Sequence, residues 1–136
     1  MQKHIKLTML YLVITTPAFA VTTWTEENCT NKGGQIVTVG GTTFCKSTSS
    51  MNWWSAYSWC QAMGGYMPSI KELCPNADLI YAAPCGRSYG VNLWASTPMP
   101  ENKVTAIGWQ GTAISNQSVR TESLFAVCLP LALAGN

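Results

Sequence analysis

The sequence has a single histidine, His4, and few charged residues of either sign, which together make up 10% of its 136 residues. His4 lies in an N-terminal segment that we expect to be removed on export. A mature chain without histidine has no Ser–His or Cys–His nucleophile and no imidazole to bind zinc. This excludes most hydrolase chemistry, and an enzyme would have to work through a pair of carboxylates.

A basic surface is also lacking. Beyond residue 20, six Lys and Arg residues balance six Asp and Glu residues, and no run of either sign occurs. A protein that binds a polyanion draws its affinity from a basic patch that releases counterions. The even balance therefore argues against nucleic acid and heparin-like partners.

Long hydrophobic runs are absent too. The apolar run Leu7–Ile14 is far shorter than the roughly 20 residues of a spanning helix. It follows the basic residues Lys3 and Lys6 and precedes the small-x-small site Pro17–Ala20, the pattern of a secretory signal. We expect residues 1–20 to be a signal peptide and the protein to be exported, so that it is secreted, periplasmic or displayed on the cell surface, with no membrane span.

Cysteine, by contrast, is plentiful. All six cysteines lie beyond residue 20, and an even number in an exported chain predicts three disulfides, although six cysteines allow 15 pairings. No Cys-x-x-Cys spacing occurs, so we expect no metal site. Cys29 and Cys45 flank a predicted hairpin at its open end, which makes a bridge between them plausible.

Turn signals divide the first part of the domain. Gln35–Val39 and Thr42–Phe44 are rich in β-forming residues and enclose a Gly-Gly turn, which predicts a β-hairpin. We expect Lys46–Ser50 to be a polar loop whose serines cap the next helix.

Helical spacing follows. In Met51–Met63 the residues Trp53, Ala56, Cys60 and Met63 recur every three or four positions and predict one buried stripe, so Trp53 is expected to pack in the core. Trp54 or Trp59 is expected to pack as well. Gly64 is expected to end this helix in a left-handed conformation. A second, shorter helix is predicted from Ser69, with Glu72 completing a capping box.

The C-terminal half is predicted to be less regular. Residues 75–103 are rich in Pro, Asn, Gly and Ala, whereas Val104–Gln110 and Thr112–Ile114 read as strands. A turn is predicted at Asn116–Ser118 and a last strand at Leu124–Leu129. The whole forms one α+β domain, residues 21–136, in which helices pack on antiparallel strands.

The pattern W-x-x-A-x-x-x-C-x-x-x-G-G-x-M-x-x-I, from Trp53 to Ile70, together with Phe125–Cys128 near the end, resembles a C-type lectin-like domain. The resemblance covers nearly all of residues 21–136, and it implies that Cys60 pairs with Cys128. A Cys29–Cys45 bridge matches longer members of the family. Cys74 and Cys85 are then left to each other, a departure from the family.

Calcium-dependent sugar binding in this family needs two motifs that the chain lacks. In place of Glu-Pro-Asn the chain has Pro100-Glu101-Asn102, and the late-strand tryptophan, Trp109, is followed by no acid. A Ca²⁺ site needs six or more oxygen ligands with sufficient negative charge. We therefore predict no calcium dependence and no cofactor.

The fold resemblance and the missing calcium motifs predict a non-catalytic module that binds a protein or glycan surface through residues 81–110. The alternatives are a structural subunit of a surface appendage or envelope assembly, and a glycosidase that uses Glu101 with Asp78 or Glu122, for which no carboxylate pair is evident. The candidate ligand-binding residues are Tyr81, Arg87, Tyr89, Asn92, Trp94, Glu101, Asn102 and Trp109.

Overall fold

A computed structural model describes residues 21–75, 85–99, 103–107, 117–118 and 122–134. The described chain is an α+β structure with a mixed sheet and two helices. In chain order its elements are β1 (Gly34–Val39), β2 (Thr42–Met51), α1 (Trp53–Ala62), β3 (Gly65–Tyr66), α2 (Ile70–Leu73), β4 (Leu93–Met99), β5 (Lys103–Ile107), β6 (Gln117–Ser118) and β7 (Leu124–Pro130). Short 3₁₀ helices, Thr30–Lys32 and Leu131–Leu133, precede β1 and follow β7.

The strands form a sheet in the order β1-β2-β7-β4-β5-β6, and β3 pairs with β7 outside that order. The β4–β7 pair is parallel and the other pairs are antiparallel. The last strand therefore lies at the middle of the sheet, where it contacts β2 on one side and β3 and β4 on the other. This central position explains why the last strand of the chain is apolar.

The predicted hairpin is confirmed and extends further than the sequence indicated. Gly40 and Gly41 have φ values of 58° and 80°, the left-handed conformation that a two-residue turn requires at both positions. The prediction of a loop at Lys46–Ser50 is wrong, because these residues continue β2, and Lys46 and Ser50 pair with β7 on either side of a register shift. Asn52, rather than a serine, caps α1: its side-chain oxygen accepts a hydrogen bond from the Ser55 amide at 2.8 Å.

Helix α1 buries the stripe that its spacing predicted. Trp53, Ala56, Cys60 and Met63 are buried against the sheet, and Gly64, with φ of 78°, follows the helix. At α2 the predicted capping box is present, with Ser69 and Glu72 each bonding the other's backbone amide. The buried stripe and the capping box therefore form as local chemistry predicted, although α1 begins at Trp53 after Asn52 and not after a serine.

Three strands, β3, β4 and β6, lie where the sequence predicted none. Strand β4 crosses the region predicted to be least regular, and it packs between β7 and β5. Gln117 and Ser118, predicted as part of a turn, pair with β5 as β6. The predicted strand at Thr112–Ile114 lies outside the described residues.

The sheet separates two hydrophobic clusters. Neighbouring residues along a strand point to opposite faces, so Cys45 and Cys128 join the cluster under α1 while Phe44 and Val127 join the cluster that contains α2. Each cluster contains buried disulfide sulfur. The three bridges are Cys29–Cys45, Cys60–Cys128 and Cys74–Cys85, which confirms the expected pairings.

The tryptophans of α1 divide between core and surface. Trp53 donates its indole N–H to the Ala95 carbonyl at 3.0 Å, whereas Trp54 is 58% exposed. Trp59 is half-buried and donates to the Lys32 carbonyl at 3.1 Å. Within the described ranges, no helix is both long and apolar enough to cross a membrane.

Candidate functional site

The segment that follows Cys85 carries three of the predicted ligand-binding residues, and the structure uses one of them inside the core. Tyr89 is buried, contacts Phe44 edge to face with centroids 5.7 Å apart, and donates its hydroxyl to the Leu73 carbonyl at 2.6 Å. Burial raises the pKa of the Tyr89 phenol, and the neighbouring Arg87 acts in the opposite direction. Tyr89 therefore fixes this segment to α2 and presents little surface to a ligand.

Arg87 connects the same segment to the hairpin turn. Its guanidinium donates to the Gly40 carbonyl at 3.3 Å and lies close enough to the Tyr89 phenol to affect its pKa. A Cβ atom on Gly40 would clash with the Arg87 side-chain Nε. The arginine is thus half-buried between two loops, and one of its donors is used by the fold.

Of the other predicted site residues, Trp94 is a core residue, which corrects the expectation that it contacts a ligand. It is fully buried on β4 and donates its indole N–H to the Met51 carbonyl at 2.7 Å. Asn92 is exposed, and its carbonyl accepts the Phe125 amide at 3.0 Å. Four further predicted residues, Tyr81, Glu101, Asn102 and Trp109, lie outside the described residues.

A cleft of about 470 Å³ opens on the side of the domain that carries α1. This volume lies within the range of roughly 300–1,000 Å³ that is typical of small-ligand sites. We call it the tyrosine cleft. Its lining residues come from α1, from β3 and the residue after it, from β4 and from the C-terminal 3₁₀ helix. They are Tyr57, Gln61, Gly65, Tyr66, Met67, Ser96 and Leu131.

The core holds the first wall of the tyrosine cleft in place. The Tyr57 ring stacks on the Trp53 ring, with centroids 5.2 Å apart and planes 19° apart. Trp53 is in turn fixed by its bond to the Ala95 carbonyl. Tyr57 therefore lines the cleft with the opposite face or the edge of its ring, already oriented before any ligand arrives.

The second wall is fixed by a carboxylate. The Tyr66 hydroxyl donates to Glu72, and the same carboxylate accepts the Ser69 amide at 3.1 Å. Burial, followed by the hydrogen bond and the negative charge of Glu72, raises the pKa of Tyr66 well above its ordinary value of 10.0. The phenol is therefore neutral at physiological pH, and it can neither serve as a base nor carry charge to a ligand.

The raised pKa makes a prediction about stability. A phenol that holds its proton more tightly when folded stabilises the fold fully below about pH 10, and this contribution is lost as the pH rises further. We expect the urea midpoint of the parent protein to fall more steeply above pH 10 than that of the Tyr66→Phe variant. Equal slopes for the two proteins in alkaline urea titrations would contradict the assignment.

Several polar groups at the tyrosine cleft remain unused. The side chains of Tyr57, Gln61 and Ser96 form no hydrogen bond to another described residue. Trp54, which is exposed, lies three residues before Tyr57 and seven before Gln61, and this spacing puts the three side chains on one face of α1. The cleft and this face together offer aromatic surface and neutral hydrogen-bonding groups.

The chemistry of the tyrosine cleft suits binding. None of its described lining residues is charged, and the nearby Glu72 carboxylate accepts hydrogen bonds from Ser69 and Tyr66. Within the described ranges, no three His, Cys, Asp or Glu side chains come together as a metal site would require. A neutral ligand could bind here through packing and hydrogen bonds.

Sequence reasoning did not identify the cleft residues. Tyr57 and Gln61 are four residues apart on α1, on the face next to the buried stripe, and that spacing was a usable signal. Tyr66 and Ser96 carried no such signal, because only the folding of β3 and β4 brings them to α1.

Comparison of the chain with family models, with curated proteins and with solved structures gave no match to any of them.

Proposed function

We propose that this chain is an exported, disulfide-bonded binding module with a C-type lectin-like fold, which recognises a protein or glycan surface without calcium and without catalysis. The fold part of the proposal is supported by the Cys60–Cys128 bridge, which joins the first helix to the last strand as the sequence resemblance implied. The buried positions of Trp53 and Ala56 on that helix also agree with it.

The binding part of the proposal is carried by one observation. The tyrosine cleft and the adjoining face of α1 combine two fixed tyrosine rings, an exposed tryptophan and neutral polar side chains that bond no other described residue. Aromatic side chains bury a large area at low entropic cost, which is why they are enriched where proteins bind partners. A neutral, aromatic surface of this kind selects ligands by shape and hydrogen bonding, since it has no charge with which to attract them.

The test is a binding screen against immobilised glycans and immobilised extracellular proteins, carried out in calcium and again in a chelator. For any ligand found, we expect equal binding in both buffers. Trp54→Ala and Gln61→Ala should each weaken binding about tenfold or more, as central contacts in an interface do. Gln35→Ala is the matched control, because it removes an exposed amide from a distant strand and should leave the affinity unchanged.

Three outcomes would count against the proposal. Absence of any ligand in the screen would remove its basis. Loss of binding in the chelator would show that a metal is required. Binding that survives both substitutions on α1 but is lost on Arg87→Ala would move the site to the segment after Cys85.

A further inference from the structure

Among the described residues, β1 is an edge strand, and it lacks the charge, proline and bulge that usually protect an edge. Its residues, Gly34 to Val39, include no charged side chain and no proline, and four of the six are β-branched. Its register with β2 runs unbroken from Gly34 opposite Ser47 to Val39 opposite Thr42, so no bulge turns the edge away. Exposed edges in natural proteins normally carry charge, proline or a bulge to prevent pairing with other chains.

The hydrogen-bond pattern shows which backbone groups of β1 point away from β2. The Thr48 amide donates to the Gly33 carbonyl at 3.0 Å, which makes residues 33 and 48 a hydrogen-bonded pair. Such pairs alternate along an antiparallel ladder, so the backbone groups of Gln35, Val37 and Val39 point toward β2. Those of residues 34, 36 and 38 point outward. The Gly34 amide is used by the Cys29 carbonyl, whereas the N–H and C=O groups of Ile36 and Thr38 have no backbone partner among the described residues.

The side chains next to these groups are suited to contact. Ile36 is 39% exposed, one of the few large apolar residues on the described surface. The Thr38 hydroxyl shares a hydrogen bond with Thr43 across the hairpin at 3.1 Å, which leaves the Thr38 methyl group as its remaining contact surface. The edge therefore offers a short apolar strip beside its open backbone groups.

We infer that the free edge of β1 is a pairing surface for β1 of a second copy of this chain, an interaction beyond the proposed ligand binding. Antiparallel pairing about a twofold axis at Val37 places Ile36 of one copy opposite Thr38 of the other. The outward N–H and C=O groups of Ile36 then bond those of Thr38 in the other copy, and the reverse pair does the same, which gives four intermolecular hydrogen bonds. The edge is complementary to itself in this register, and because it carries no charge it brings no repulsion between the copies.

The symmetry of this contact limits its size. A twofold interface uses the same surface on both copies and closes at a dimer, so it does not extend into a filament. Only one six-residue strand from each copy takes part, which predicts a weak dimer that forms as concentration rises. The tyrosine cleft lies on other elements and stays open in both copies.

The first test is sedimentation of the disulfide-bonded protein from micromolar to millimolar concentration. We expect reversible monomer–dimer behaviour, and we expect Ile36→Lys to weaken the dimer by about tenfold or more, since a charge on each copy then faces the same short interface. Leu133→Lys is the matched control: Leu133 is 46% exposed on the C-terminal 3₁₀ helix, and the same change there should leave dimerisation unaltered.

The second test detects the pairing of β1 with β1 of the second copy directly. Amide hydrogen exchange in concentrated against dilute protein should slow at Ile36 and Thr38, while the Val37 amide, already bonded to β2, should not change. A protein that stays monomeric throughout, or a dimer that is weakened by Leu133→Lys but not by Ile36→Lys, would overturn the inference. Concentration-dependent protection on α1 instead of β1 would overturn it as well.

Discussion

Removal of the Cys60–Cys128 disulfide in a Cys60→Ala/Cys128→Ala double variant is expected to lower the free energy of unfolding by about 4 kcal/mol. The bridge closes a loop of 68 residues and joins α1 to the central strand of the sheet. Without it the unfolded chain gains the conformational freedom of that long loop. Urea unfolding of parent and variant, in buffer without added oxidant or reductant, measures the difference in the free energy of unfolding. A domain with 5–15 kcal/mol of total stability would lose a large share of it.

The Cys74–Cys85 bridge provides the control. Its sulfurs are equally buried, so the cost of replacing sulfur by a smaller side chain is similar in both double variants. It closes only 11 residues, and the same relation gives about 3 kcal/mol for Cys74→Ala/Cys85→Ala. If the local bridge proved the more important of the two, its constraint on the segment between the cysteines would outweigh loop entropy, and the argument from loop length would be wrong.

Much of the fold could be predicted because its signals are local. The buried stripe of α1 depends on spacing within one helix, the capping box of α2 on residues three apart, and the hairpin turn on two adjacent glycines. Each of these features is decided by neighbouring residues, whose preferences the rest of the fold does not oppose. The bridges Cys29–Cys45 and Cys60–Cys128 were available only through the resemblance or a predicted hairpin, since the cysteine count alone leaves 15 pairings open.

The strands that were missed are held by distant partners. Ser50 pairs with Phe125, so the polar residues at the end of β2 form a strand because of a segment far along the chain. Strand β4 combines apolar and small polar residues with Pro98, a pattern without clear alternation. Its place in the sheet comes from β7 and β5. Strand preference depends on such packing more than on the backbone, and a single segment cannot reveal it.

The candidate site also depends on contacts between residues that are distant in the sequence. The sequence pointed to aromatic and polar residues in one long irregular region, and there Tyr89 and Trp94 serve the core while Arg87 joins two loops. The tyrosine cleft instead assembles from segments that are distant in sequence. Tyr57 and Ser96 meet across it only because β4 passes beneath α1, as the bond from Trp53 to the Ala95 carbonyl shows.

Trp94→Ala is expected to lower the free energy of unfolding by about 3–5 kcal/mol, the range for deleting a large aromatic side chain from a packed core. Trp94 is fully buried, and its loss also removes the indole N–H from the Met51 carbonyl. Trp94→Phe keeps most of the packing but loses this hydrogen bond, and should cost about 1–3 kcal/mol, the range for a polar group that loses a partner. Urea or thermal unfolding of the three proteins gives the comparison.

Trp54→Ala is the matched control, because it removes the same side chain from a position that is 58% exposed. Its effect on stability should stay within about 0.5 kcal/mol, as for most surface substitutions, while its effect on ligand binding should be the larger of the two. The two tryptophans thus separate stability from binding. A Trp94→Ala protein that is as stable as the parent but no longer binds ligand would place Trp94 in the binding site. It would also show that β4 does not pack against α1 as described.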